Sequence, residues 1–222
     1  MQSVNTQQKE FLKFIKLLND NDCLKHVILV GSWAEYVYKE TGLIEDYDPN
    51  IKTLDIDFLL KNLRRPSPPQ NLSALAREAG YIVQNDILDG TTKFLDKAGL
   101  EIEFLINKVG AGLETTLKTN LGVTAQSLRH MDIILHNVKE VEFFGVNLTV
   151  PLPEAYAVHK IIINNQRKNK QEKDRLAIIN IWPKLSKAGL LGVIESLSKK
   201  EKQILEEFIE TNNLCVAEGK SS

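Results

Sequence analysis

The sequence predicts an α+β protein, with strands concentrated in the first 150 residues and helices after them. Three observations favour this fold class. Residues 27–30 are a short apolar run, and residues 53–60 alternate between polar and apolar side chains, as strands do. Residues 90–106 have the pattern of a β-hairpin, and later apolar residues recur at helical spacing. We therefore expect a core domain over residues 1–150 and a helical region over 151–222.

Length and composition indicate an ordinary globular protein. The 222 residues are 43% hydrophobic and 26% charged, which is enough apolar material to bury a core. The formal net charge of −1 excludes a general electrostatic footprint for nucleic acid. Cys23 and Cys215 have no zinc-site spacing, and no stretch approaches the roughly 20 apolar residues of a membrane helix. Because the N-terminus is also polar, we expect a cytoplasmic protein that does not enter the membrane.

The first elements are predicted to be a helix, a strand and a second helix. Apolar residues within 11–18 recur at helical spacing, and this helix should cover one side of the sheet. The strand ending at Val30 leads into Gly31-Ser32, and a helix begins near Trp33. The backbone N–H groups of such a turn, together with the helix N-terminus, attract phosphate oxygens.

Two aspartates lie on the second predicted strand. Asp55 and Asp57 are two residues apart, so they project from one face, opposite to Ile56 and Phe58. Two carboxylates at one place repel each other unless a cation lies between them. Mg²⁺ prefers oxygen ligands and keeps coordination positions open for substrate phosphates. The pair therefore predicts a magnesium site.

The next segments connect this strand to the hairpin. Residues 61–70 form a proline-rich basic loop, which we interpret as solvated. A short helix over residues 72–79 ends at Gly80, and residues 81–83 open a further strand.

The hairpin joins residues 90–95 to residues 100–106, and its second strand carries Glu101 and Glu103. Both glutamates face the same way because they are two residues apart. Periodicity alone leaves either of them as the acidic residue that joins the aspartates.

The rest of the chain completes the core and begins the helical region. Residues 113–129 are interpreted as helical or irregular, and residues 131–134 as a strand. Residues 141–150 are a strand segment with a turn at Gly145, and Pro153 suits the first turn of a helix.

That helix has an apolar stripe and also carries His159, interpreted as a packing residue, and Lys160. A basic cluster follows, made of Arg167, Lys168, Lys170, Lys173 and Arg175. In isolation such a run is a solvated face, whereas beside a phosphate site it indicates binding. One or two closing helices are predicted over residues 185–197 and 198–212.

Together these motifs resemble the nucleotidyltransferase superfamily that includes DNA polymerase β. The family pattern is an apolar strand followed by Gly and then Ser or Gly, an Asp-apolar-Asp strand, and a third acid on a later strand. The matching residues are Gly31-Ser32, Asp55-Ile56-Asp57 and Glu103. The resemblance spans residues 25–182 and implies a mixed β-sheet flanked by helices.

Two features resemble particular branches of that superfamily. The long gap between Ser32 and Asp55 resembles a bacterial branch with an insertion there. Lys160 and the Lys173-Asp174 pair resemble a segment of toxin-like enzymes of the abortive-infection type, which transfer nucleotides to RNA.

The resemblance also implies a role for each site residue. Asp55, Asp57 and Glu103 would be catalytic and would hold two Mg²⁺ ions. Glu103 is preferred because Ile-Glu-Phe-Leu resembles the segment around the family's third ligand, and Glu101 is the alternative.

The nucleotide would be bound by residues from three segments, namely Gly31, Ser32, Lys160, Lys173 and Asp174. Gly31 and Ser32 would hold the terminal phosphates. Lys160 would contact the β and γ phosphates, and Asp174 would orient Lys160 or a substrate group.

The implied function is metal-dependent nucleotidyl transfer. The enzyme would move a nucleoside monophosphate from a nucleoside triphosphate such as ATP to an acceptor hydroxyl and release pyrophosphate. The acceptor is left open among RNA, a small molecule and a protein. The alternatives are a non-catalytic nucleotide- or protein-binding module of the same fold and a toxin-like enzyme that acts on RNA.

Overall fold

The computed structural model describes residues 6–49, 53–108, 110, 115–164 and 171–214. Its strands are β1 (Val27–Val30), β2 (Asp55–Leu60), β3 (Ile82–Asn85), β4 (Thr92–Leu95), β5 (Glu101–Asn107), β6 (Thr116–Lys118), β7 (Thr124–Leu128), β8 (Val138–Phe143) and β9 (Val146–Pro151). Its helices are α1 (Thr6–Asp20), α2 (Ser32–Glu40), α3 (Leu72–Glu78), α4 (Asp132–Leu135), α5 (Pro153–Asn164), α6 (Gln171–Ile181), α7 (Lys187–Glu195) and α8 (Lys199–Thr211).

Most of the strands form one mixed sheet with the order β1-β2-β5-β4-β3. β2 and β5 run parallel, whereas β1, β4 and β3 pair antiparallel to their neighbours. β7 also pairs with β5 in parallel and carries β6 on its other side. β8 and β9 form a separate hairpin that turns at Gly145. This mixed sheet with flanking and C-terminal helices confirms the predicted fold class.

The two faces of the sheet contact different apolar groups. Phe58 faces α1, where its ring centroid lies 5.7 Å from that of Phe14. Leu59 faces the other side and packs in a smaller apolar cluster with residues of β1, β5 and α4. Asp55 and Asp57 share the face of Leu59 because side chains alternate along a strand. The carboxylates therefore lie on the side of the sheet that α1 does not cover.

The helical region packs around α5, which is buried along most of its length. Glu154, in its first turn, accepts hydrogen bonds from the backbone N–H and the hydroxyl of Ser186, at 2.9 and 3.0 Å. This carboxylate joins the start of α7 to the start of α5. Residues from both sides of residue 150, such as Phe58 and Val158, belong to one apolar core. The division into two regions stays a prediction.

Two local predictions are wrong. The described part of residues 113–129 forms the β6–β7 hairpin, because Val123, Ala125 and Ser127 are buried with a period of two and β7 pairs with β5. Residues 131–134 begin the short helix α4, in which the N–H of Leu135 bonds to the carbonyl of Met131 at 2.9 Å. A four-residue segment with three apolar residues, such as Met-Asp-Ile-Ile, suits a buried helical turn as well as a strand.

The other strand and helix predictions are confirmed, and their ends lie within five residues of the observed ones. In the parts of the chain that the structure describes, no helix combines the length and apolar character needed to cross a membrane.

Candidate active site

Two pockets open on the sheet face that carries Asp55 and Asp57. The larger has a volume of about 320 Å³ and is lined by residues of β1, β2, β5, β7, α4 and α5. The smaller, of about 40 Å³, is lined by the start of α2, by β2 and by residues of α5 and α6. Gly31, Asp55, Asp57 and Lys160 line both pockets. The two pockets together are named the cleft.

Gly31 stands where the backbone meets a carboxylate. Its φ is +71°, and a Cβ built on it would be 2.7 Å from Oδ2 of Asp57. This proximity follows from strand pairing, because Val30 at the end of β1 lies opposite Asp57 on β2. Glycine alone satisfies both the positive φ and the close approach. The Gly31-Ser32 turn is therefore held directly against the acidic residues.

Sheet register also brings the glutamates of β5 to this face. Asp57 lies opposite Glu103, and Asp55 lies opposite Glu101. Residues opposite each other on neighbouring strands project to the same face, so alternation and pairing place the four carboxylates together. Glu103 lines the larger pocket with the two aspartates, whereas Glu101 does not line it.

Lys93 on β4 neutralises part of this charge. It lies opposite Glu103, and its Nζ is 2.6 Å from Oε1 of Glu103 and also bonds to Glu101. The hydrogen bonds to Glu101 and Glu103 raise the pKa of the Lys93 ammonium. Lys93 is therefore a permanent cation at neutral pH, and it holds Glu103 at the wall of the pocket.

The acidic residues fit magnesium in their chemistry. Within the described ranges, no group of three or more His, Cys, Asp and Glu residues is spaced to hold one metal ion. Mg²⁺, however, is commonly held by one or two carboxylates together with water and substrate phosphates. Asp55 and Asp57 supply two such oxygen donors beside the backbone of Gly31. Glu103 can become a third oxygen donor if it exchanges its ion pair with Lys93 for the metal. Lys93 would then keep its bond to Glu101.

Lys160 is buried at the junction of the two pockets. Its Nζ donates a hydrogen bond to Oδ1 of Asp174 at 3.1 Å and lies 3.7 Å from Oε1 of Glu35. The side chains of all three residues are at most 6% exposed. Asp174 thus contacts Lys160, as its predicted role of orienting Lys160 requires, and the carboxylate of Glu35 also lies near Lys160.

Two tyrosines fix Glu35. The hydroxyls of Tyr47 and Tyr156 donate to its two carboxylate oxygens. Burial first, and then the negative charge of Glu35, raise the pKa of the Tyr156 hydroxyl well above its usual value. The hydroxyl therefore stays protonated and remains a donor. Nζ of Lys160 also lies 4.9 Å from the centroid of the Tyr156 ring, a cation–π contact.

The basic cluster is only partly within the described residues. Arg167, Lys168 and Lys170 lie outside them. Lys173 lines the smaller pocket, beside Ser32. Arg175 contacts Glu172 at 2.7 Å and Asn212 at 3.1 Å. The structure therefore places Lys173 at the cleft, whereas Arg175 joins α6 to α8.

All eight predicted site residues line the cleft, and their roles stay predictions. Sequence reasoning missed Glu35 and Tyr47, and it assigned His159 to packing although His159 also lines the larger pocket. One signal for Glu35 was available, since it is an acid inside the otherwise apolar and aromatic run of residues 33–38. Nothing in the sequence singles out Tyr47.

Comparisons with known proteins identify the family and support the fold. A family model described as nucleotidyltransferase matches residues 9–179. No curated protein sequence matches the chain. The structure is similar to that of an antigenic nucleotidyltransferase-like protein from Paracoccidioides brasiliensis, with a TM-score of 0.56 and 15% identity over 92% of this chain and 89% of that one. That similarity supports the fold, and because the family model covers more than half of the sequence, the chain belongs to this nucleotidyltransferase family.

Proposed function

We propose that the protein transfers a nucleoside monophosphate from a nucleoside triphosphate to an acceptor hydroxyl, with Mg²⁺ as cofactor and pyrophosphate as the leaving group. Family membership supports nucleotidyl transfer. One observation carries the rest of the proposal, which is that Asp55, Asp57 and Glu103 share a pocket with Gly31 and Lys160. Acids that can hold a metal and groups that can bind phosphate thus meet at one place.

Asp55, Asp57 and Glu103 would hold two Mg²⁺ ions. When bound, Mg²⁺ neutralises phosphate charge and makes the acceptor hydroxyl more acidic. Asp55 and Asp57 would supply oxygen ligands at the junction of the pockets, since both residues line the two pockets. Glu103 would first break its ion pair with Lys93 and then bind the metal.

The phosphate groups would be held on the side of the smaller pocket. The backbone N–H groups of the Gly31-Ser32 turn lie at the N-terminus of α2, where helix and turn both favour anions. Lys160 would contact the β and γ phosphates and offset the negative charge that develops on the leaving pyrophosphate. Lys173 would add a second cation at the same end of the cleft. The protein's contribution is positioning and charge rather than covalent catalysis.

The larger pocket has space beyond the phosphates. One wall is apolar and includes Leu105, Met131 and Ile134, while Gln126 and Arg129 add polar groups. The nucleobase, the acceptor or both could use this wall. RNA, a small molecule and a protein remain the candidate acceptors, and ATP is one candidate donor. The proposal includes a cytoplasmic location.

A toxin-like enzyme that transfers nucleotides to RNA is the second candidate. The observation that favours it is the Lys160–Asp174 contact at 3.1 Å, with Lys173 beside it in the smaller pocket. These residues are the ones that resemble the toxin-like branch. Incubation with α-labelled nucleoside triphosphates and a panel of RNAs tests this candidate, and label that enters no RNA but enters another acceptor would contradict it.

Calorimetric titration tests the proposed nucleotide site. Each nucleoside triphosphate is titrated into the protein with and without Mg²⁺, and then into the Asp55→Asn/Asp57→Asn double variant. We expect metal-dependent binding that the double variant loses. Asp20→Asn/Asp22→Asn is the matched control, because it removes two exposed carboxylates that line neither pocket.

Absence of binding by every triphosphate, or binding that survives in the double variant, would contradict the proposal. Measurement of pyrophosphate release then separates an enzyme from a non-catalytic module. The enzyme releases pyrophosphate when an acceptor is supplied, whereas the module binds the nucleotide and releases none.

A further inference from the structure

Glu35 has no task in the reaction described above. It lies in the first turn of α2 and is 5% exposed. It is not among the residues that line the described cleft. A buried carboxylate is costly unless its charge and its oxygens are satisfied, so its partners indicate what it does.

Both oxygens of Glu35 are engaged from different parts of the chain. Oε2 accepts the hydroxyl of Tyr47, which lies in the segment after α2. Oε1 accepts the hydroxyl of Tyr156 on α5. An ionised carboxylate only accepts hydrogen bonds, and two O–H donors suit that state. The two bonds join Glu35, which lies on α2, to the segment after α2 and to α5, and they restrict the movement of its side chain.

Lys160 has two carboxylates beside its ammonium group. Oδ1 of Asp174 is 3.1 Å from Nζ, and Oε1 of Glu35 is 3.7 Å from it. A lysine ammonium has three N–H donors. If two of them point toward the carboxylates, the third is available to the cleft, which Lys160 lines on both sides.

Charge neutralisation does not account for the second carboxylate. One acid would neutralise Lys160, and Asp174 is the nearer of the two. Glu35, Lys160 and Asp174, named the buried trio, together carry a net charge of −1. Each added buried ion has a desolvation cost. A group kept in spite of that cost is expected to fix the geometry of its neighbour.

We propose that Glu35 is a positioning residue that acts through Lys160. Glu35, held by Tyr47 and Tyr156, fixes the direction of the Lys160 ammonium so that one N–H faces the phosphates in the cleft. This inference rests on the proposed function, because it requires a triphosphate at Lys160. It adds to the phosphate site a buried residue, Glu35, that neither the family pattern nor the pocket lining contains.

The positioning role and simple electrostatics predict opposite changes in triphosphate affinity for Glu35→Gln. Removing the charge of Glu35 reduces the negative potential near Lys160, and this effect alone would strengthen anion binding. Loss of positioning would weaken anion binding, because the Lys160 ammonium is drawn toward Asp174 and its N–H no longer points at the phosphates. The change of affinity in Glu35→Gln therefore distinguishes the two effects.

Inorganic triphosphate with Mg²⁺ is the probe, and its dissociation constant is measured by calorimetry. We expect Glu35→Gln to weaken binding about tenfold, the loss of roughly one oriented charge-assisted hydrogen bond. Tyr156→Phe should weaken it in the same direction. Tyr38→Phe is the matched control, since it removes an equally buried hydroxyl that donates to the carbonyl of Pro151 at 2.8 Å instead.

A double-mutant cycle shows whether Glu35 acts through the lysine. In a Lys160→Met background, Glu35→Gln should cause no further loss of triphosphate affinity, whereas a general structural role would lower affinity in both backgrounds. The Glu35→Gln/Lys160→Met variant carries the same net buried charge as the native trio. If Lys160→Met does not fold, the comparison of Tyr156→Phe with Tyr38→Phe, made with the native lysine, decides.

Each outcome has one meaning. Unchanged or tighter binding by Glu35→Gln, or equal losses in Tyr156→Phe and Tyr38→Phe, overturns the positioning role while the nucleotide site stands. Binding that is lost in Lys160→Met but unchanged in Glu35→Gln does the same. If the native protein binds no triphosphate with Mg²⁺, the proposed function fails, and the positioning role fails with it.

Discussion

Lys160 and Lys93 each lie between two carboxylates, yet they differ in burial and in the part of the cleft that they serve. The Lys160 side chain is 6% exposed, and its acidic partners, Glu35 and Asp174, are buried as well. The Lys93 side chain is 34% exposed, and its partners are the half-buried glutamates of β5. One lysine stands at the predicted phosphate site and the other at the edge of the predicted metal site.

The difference in burial determines which site can rearrange. Water screens a half-exposed ion pair, so a divalent cation can replace Lys93 beside Glu103 at little cost. In the buried trio, the attraction between opposite charges offsets the cost of taking them out of water, and this offset is lost when any member is removed or moves away. We infer that the phosphate side of the cleft is built in advance, whereas the metal side completes itself when its cation arrives.

The largest expected effect separates the two lysines in stability. Lys160→Met removes the buried cation that contacts Glu35 and Asp174, and we expect it to lower the free energy of unfolding by about 3–5 kcal/mol. Lys93→Met should lower it by about 0–1 kcal/mol, because its partners can turn to water. Urea unfolding followed by circular dichroism measures both. Equal losses would show that burial does not distinguish these sites.

The next effect separates the two glutamates that Lys93 contacts. Glu103→Gln should weaken Mg²⁺-dependent triphosphate binding by about tenfold or more, since it removes a direct oxygen ligand. Glu101→Gln should change it by less than about threefold, because Glu101 does not line the larger pocket. Calorimetric titration at fixed Mg²⁺ measures both. A larger effect of Glu101→Gln would reverse the assignment of the third ligand.

A smaller effect is expected from Lys93 itself. Lys93→Met removes a cation that competes for Glu103, so Mg²⁺ affinity at a fixed triphosphate concentration should rise several-fold. Lys97→Met is the control, because Lys97 is exposed in the turn before β5 and has no acidic partner within the described residues. Weaker Mg²⁺ binding in Lys93→Met would mean that Lys93 holds Glu103 in the position for a metal rather than away from one.

The metal side of this comparison could be predicted from sequence to a large extent. The spacing of Asp55 and Asp57 fixes their shared face, since alternation is a local property of a strand. Parallel pairing of β2 with β5, which sets Asp57 opposite Glu103, is not local. The family resemblance implies that Asp55, Asp57 and Glu103 share a site, but it does not give this pairing. The errors at β6, β7 and α4 have a similar cause, because short segments with mixed polar and apolar residues take the structure that their partners in the fold stabilise.

The support of Lys160 could be predicted only in part. The family resemblance pointed to Asp174. Glu35 reads locally as an ordinary acid in a first helical turn, and its partners Tyr47 and Tyr156 are 12 and 121 residues away in sequence. Contacts at such separations leave no periodic pattern in a single sequence. A buried polar network is therefore the part of a site that needs a structure to be found.

Glu201, which does not line the cleft, has a side-chain exposure between those of Lys160 and Lys93 and can be compared with both. Oε1 of Glu201 is 2.6 Å from Nδ1 of His130, and the Glu201 side chain is 12% exposed. Burial alone would raise the pKa of Glu201, but hydrogen bonds with Ser198 and His130 outweigh it and hold the pKa below the usual value of 4.5. A carboxyl whose pKa is lowered by folding stabilises the folded state above its unfolded pKa.

The expected pH dependence follows from that sign. The difference in unfolding free energy between the native protein and Glu201→Gln should be fully present above about pH 5 and should shrink as pH falls below about 4.5, because the unfolded carboxyl takes up its proton before the native one does. Urea unfolding at a series of pH values measures this difference. A difference that grows as the pH falls would mean that Glu201 is not stabilised as an anion. Since the Glu201 side chain is more exposed than that of Lys160 and less exposed than that of Lys93, its contribution at neutral pH should lie between those of the two lysines.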